Sequence, residues 1–183
     1  FMLYHFTGHD HWIIQIRYID CIVRILRIYC LPAFFPKQIA QHGKILLFNA
    51  AGYLYKKALP NGKPERLINV KEAAYAAAGF ESEPAFSADG KNIIYVTWSD
   101  SLAGAIYKLS MLANAKPVKL TPVKGIYRLP SFSPDGKWIV FRKEGGSDAM
   151  GSGFTSKPGI YTMAADGSSL NFVTDKGDMP RFN

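Results

Sequence analysis

Two cysteines, Cys21 and Cys30, are all that the 183 residues contain. That excludes a disulfide framework and a four-cysteine zinc site. Basic runs are missing too. Net charge is +8, yet fifteen of the 22 basic residues are lysines scattered over residues 37–176, with Lys56-Lys57 the only two in succession. A nucleic-acid surface needs clustered Lys and Arg interleaved with stacking aromatics. Here the aromatics sit inside strand patterns, so the lysines read as a solvated surface and no nucleic-acid partner is expected. No uncharged apolar run is long enough for a bilayer: Arg17, Asp20, Arg24 and Arg27 interrupt the apolar stretch Trp12–Cys30, so no membrane span is expected. Catalytic signatures are absent as well. There is no Gly-x-Ser-x-Gly elbow, and His42 sits in a turn with no acidic neighbour in sequence. The stretch Gly145-Gly146-Ser147-Asp148-Ala149-Met150-Gly151-Ser152-Gly153 lacks the Gly-Lys-Ser/Thr ending of a phosphate cradle. No cofactor and no catalytic residue are expected in this chain; whether the protein as a whole is an enzyme stays open.

What the chain has is repetition. Pro130-Ser131-Phe132-Ser133-Pro134-Asp135-Gly136-Lys137-Trp138-Ile139-Val140-Phe141 reads as strand, tight turn, strand. Pro134 presets φ at the second turn position, Asp135 can hydrogen-bond its own backbone, and Gly136 accepts a positive φ. The residues after Lys137 are aromatic, β-branched and apolar, which suits a buried strand. The phrase recurs as Pro84-Ala85-Phe86-Ser87-Ala88-Asp89-Gly90-Lys91-Asn92-Ile93-Ile94-Tyr95. A worn copy runs Pro32-Ala33-Phe34-Phe35-Pro36, then His42-Gly43-Lys44-Ile45-Leu46-Leu47-Phe48, with extra residues before Gly43 and His42 in place of the aspartate. Each copy continues into two more strands. These are Tyr53–Lys56 and Glu65–Ile68 about the hairpin turn Pro60-Asn61-Gly62-Lys63, then Ala105–Leu109 and Pro117–Thr121, then Gly159–Met163 and Leu170–Thr174. From Phe86 to Phe132 is 46 residues and from Phe132 to Phe182 is 50. Four short strands at such a period make a β-propeller blade, a small sheet that buries both faces only by stacking on its neighbours. The expected fold is all-β. It is a partial β-propeller of three four-stranded antiparallel blades over residues 32–183, plus the first strand of a fourth at Pro180-Arg181-Phe182-Asn183.

Residues 1–31 differ from the rest. They hold no Lys, no Glu, three of the four His, both Cys and seven Ile. Their charges from Arg17 to Arg27 fall at spacing 3, 4, 3, on one helical face, while the isoleucines favour strand. Three readings stay open: a linking helix, the degraded end of a preceding blade, or translation from a shifted frame. His9 and His11, with His5 nearby, would project to one side of a strand as zinc ligands do. Nothing nearby supplies further ligands, so an exposed polar turn is preferred and no metal site is assigned. Residue 1 is Phe and the last residues open a fourth copy, so the sequence reads as an internal piece of a longer protein. A missing signal peptide then carries no information.

Phe-Ser-Pro-Asp-Gly-Lys, an apolar strand, Ile-Tyr and a closing Leu-Thr resemble the TolB-like β-propeller repeat, over about residues 32–183. The text around Tyr127–Gly146 and Phe154–Met163 also resembles the propeller half of bacterial multidomain proteins in which such a propeller precedes an amidohydrolase domain. The resemblance implies a non-catalytic propeller portion of a larger exported bacterial protein, periplasmic or secreted. It would bind a protein partner or gate substrate for the protein's own downstream hydrolase domain. The alternatives are a stand-alone TolB-type interaction scaffold of the cell envelope, or the propeller cap of a prolyl-oligopeptidase-type serine hydrolase. Three blades alone leave two sheet faces open, so self-association through those faces is expected.

Strand alternation sends the short turns to one end of each blade and the long connections, 70–83, 98–104, 122–129 and 143–158, to the other. Long loops on one face of a rigid repeat are where binding resides. Trp98, Asp100, Tyr127, Arg128, Arg142, Lys143 and Asp148 lie on or beside that rim and are the candidate binding residues. The bland alternative is solvated loop charge, or, for Trp98 and Tyr127, a cap on the core. Asp89, Gly90, Asp135 and Gly136 read as structural turn residues rather than acid–base groups.

Overall fold

The computed structural model describes residues 38–39, 44–68, 79–145 and 157–182, and their strands group into three sheets of four. The first sheet holds β1 (Gln38–Ile39), β2 (Ile45–Ala50), β3 (Tyr53–Ala58) and β4 (Pro64–Arg66). The second holds β5 (Phe80–Phe86), β6 (Asn92–Ser99), β7 (Ala103–Ser110) and β8 (Val118–Lys119), and the third β9 (Ile126–Phe132), β10 (Trp138–Glu144), β11 (Gly159–Ala164) and β12 (Asn171–Thr174). Within each sheet neighbours in sequence pair antiparallel. No helix occurs among the described residues, and so none is long and apolar enough to cross a membrane.

One aromatic pair is written into all three sheets. Phe48 faces Tyr55, Tyr95 faces Tyr107 and Phe141 faces Tyr161, each directly across the second and third strands. The rings stack at 5.7–5.9 Å between centroids. Cross-strand aromatic pairs of this kind fix register as well as adding about 0.5–1.5 kcal/mol each.

The middle sheet is covered on both faces, and the period of two decides how. Ile93, Tyr95 and Leu109 pack with Leu47, Leu54 and Ile68 of the first sheet. Ile94, Val96 and Ile106 pack with Phe132, Ile139, Phe141 and Met163 of the third. Adjacent residues of β6 therefore belong to different cores. Full burial of each such side chain is worth about 1.5–3 kcal/mol, which is what stacks the sheets.

A matching β-bulge breaks β5 and β9. One extra residue sits opposite Tyr95 between Ser82 and Ala85, and another opposite Phe141 between Arg128 and Ser131. Glu83 and Leu129, each followed by proline, take φ of 50° and 51° there. A bulge is where a strand tolerates proline and re-aims a side chain.

Four expectations need correcting. The connection 98–104 is no long loop: β6 and β7 run on to Ser99 and from Ala103, leaving a turn of Asp100-Ser101-Leu102. The first strands extend upstream through their bulges, so Tyr127 and Arg128 lie inside β9. In the first sheet the strand paired to Leu46 and Leu47 is Gln38–Ile39, downstream of the Pro32–Pro36 phrase. Pro180, Arg181 and Phe182 form no strand, because no second strand of their own sheet lies beside them among the described residues. Residues 1–31, Pro32–Pro36, His42 and Asp148 lie outside the described residues.

Candidate functional site

The rim opposite the tight turns is built from the start of β5 and β9, the end of β6 and β10, and the connections between them. Asp100 is exposed in the β6–β7 turn. Trp98, half-buried, sits in β6 between Phe80 and Gly104. The backbone N–H of Gly104 donates to the carbonyl of Gly125 at 2.8 Å, which draws the connection 122–125 onto β7. That approach needs a glycine, since a Cβ on Gly104 would stand 2.5 Å from the Gly125 oxygen.

Tyr127 belongs to the core. It is buried, its ring meets Phe141 edge-on at 5.6 Å, and its hydroxyl donates to the Val123 carbonyl at 2.7 Å. Burial pushes the Tyr127 phenol above its ordinary pKa. Arg142 and Lys143 are strand residues of β10. Arg142 pairs with Asp178, and the Lys143 ammonium lies 5.9 Å over the Tyr161 ring.

Arg128 is the junction of a small ionic network. Its Nε donates to Glu83 Oε1 at 2.5 Å and its Nη1 stands 3.8 Å from Glu144. Glu83, nearly buried, also accepts the Leu129 backbone N–H at 2.5 Å. Burial works against the Arg128 charge, but the Glu83 hydrogen bond and the two carboxylates outweigh it and raise its pKa. The bulge residue of the second sheet thus grips the bulge residue of the third.

Glu81 makes the counterpart grip on the first sheet. Its side chain is 2% exposed. It accepts the Leu54 backbone N–H at 2.8 Å and lies 3.7 Å from Arg66, whose guanidinium also covers the Tyr53 ring. The Glu81 backbone N–H donates to the Gly52 carbonyl, and the Asn49 amide donates to the Glu81 carbonyl. Among the described residues no buried side-chain nitrogen or oxygen lacks a partner. Sequence reasoning missed Glu81, Glu83, Glu144 and Asp178. The available signal was the alternation in Glu81-Ser82-Glu83-Pro84, two acids one residue apart directly upstream of a strand.

The short turns carry the expected chemistry. Asp89 Oδ1 accepts from the Ser87 hydroxyl at 2.6 Å and the Lys91 N–H at 3.0 Å, and Asp135 Oδ1 repeats this with Ser133 and Lys137. The serine hydroxyls first, then the backbone N–H groups, hold both carboxyls below the usual aspartate range. Among the described residues no three or more His, Cys, Asp and Glu are grouped to hold a metal ion.

Comparison with solved structures matches this architecture to TolB from Acinetobacter baumannii, with a TM-score of 0.56 and 22% identity over 81% of this chain and 35% of that one. The fold is a TolB-like β-propeller. The three sheets are its blades. A crystal structure of the tricorn protease is also similar, with a TM-score of 0.52 and 16% identity, covering 73% of this chain and 14% of that one. In sequence the propeller is 35% identical over 91 residues to the Tol-Pal system protein TolB of Francisella tularensis subsp. mediasiatica, and likewise to that of subsp. holarctica. Those matches take in 50% of this chain and 19% of each relative, so the chain spans about a fifth of their length. No family model matches.

Proposed function

We propose that the chain is part of a protein-binding scaffold of the TolB kind, periplasmic and without chemistry of its own. The observation that supports this most is the 35% identity over 91 residues to a Tol-Pal system protein. The architecture suits the role. Blades tied to each other by buried carboxylates hold Arg128, Arg142 and Glu144 on strands at this rim, where little ordering is left to be lost on binding. Such binding needs no cofactor. The test is calorimetric titration of the full-length protein with the Pal component of its own organism. Saturable binding at micromolar Kd or tighter is expected, and no saturation by about 100 µM overturns the reading.

The second reading makes the propeller a gate for an amidohydrolase-type domain of the same protein. The resemblance around Tyr127–Gly146 and Phe154–Met163 supports it. It expects a His-x-His in an apolar strand context beyond Asn183 and chelator-sensitive amide hydrolysis by the full-length protein. Full-length sequence without that motif, together with no hydrolysis, removes it.

A further inference from the structure

We draw no further inference here: the strongest candidate, the exposed aromatic patch at the junction of the first and second blades, where the Phe80 ring rests on Gly52 and the Arg66 guanidinium covers Tyr53, carries none because nothing in the structure shows what covers it.

Discussion

Glu83 of the second blade accepts the Nε–H of Arg128 in the third at 2.5 Å, and its other oxygen accepts the Leu129 backbone N–H. The carboxylate therefore does two jobs of unequal weight. Arg128 is about half exposed, so its ion pair is screened by solvent. The Leu129 N–H depends on Glu83 for its partner within a bulge.

Glu83→Ala should cost about 1–3 kcal/mol by stranding that N–H, whereas Arg128→Ala should cost under about 1 kcal/mol. Urea unfolding of the full-length protein checks this through the shift in midpoint. Equal losses for the two variants would show that the ion pair, not the backbone bond, carries the contact.

Gly104→Ala and Gly136→Ala separate two reasons for a glycine. Gly136 has open space around it but φ of 71°, so alanine there should cost about 1–2 kcal/mol from backbone strain alone. Gly104→Ala puts a methyl group 2.5 Å from the Gly125 oxygen and should also break the Gly104–Gly125 bridge. Faster hydrogen exchange at the Gly104 amide is expected in that variant and not in Gly136→Ala.

Phe141 is fully buried between Tyr127 and Tyr161. Phe141→Ala should cost about 3–5 kcal/mol, the usual range for a large aromatic removed from a core. Thermal denaturation followed by circular dichroism reads it. Phe172→Ala, half exposed at the outer edge, should move the midpoint far less.

Acid should loosen the short turns. The folded-state pKa values of Asp89 and Asp135 lie below the ordinary value of 3.8. Their contribution is therefore full at neutral pH, starts to fade as pH falls below the unfolded value, and is lost on passing the folded one. Melting temperature of D135N should accordingly fall less steeply than wild type below about pH 4. Parallel curves would remove Asp135 from the acid limb.

The repeated phrase made the three sheets legible, because Asp-Gly turns and β-branched runs follow from local sterics. The strand lengths were not. Glu81, Arg128 and Lys143 are charged residues near strand ends and Glu83 sits at the bulge of β5, and charge next to a turn signal reads as loop. Only the partners across the blade junctions reveal that Glu81 and Glu83 are ion-paired and hydrogen-bonded and can continue a strand. Trp98 and Gly104 read as part of a long connection because nothing local shows that Gly125 docks on β7. Tyr127 read equally well as recognition surface or core, and its hydroxyl partner at Val123 is set by a turn that the pattern alone does not fix.

The alternation along β6 has a practical consequence. Ile93 and Tyr95 address one neighbour, Ile94 and Val96 the other, so consecutive codons govern separate contact surfaces. Either seam of the middle blade can be tightened or relaxed by substitution without retouching its twin.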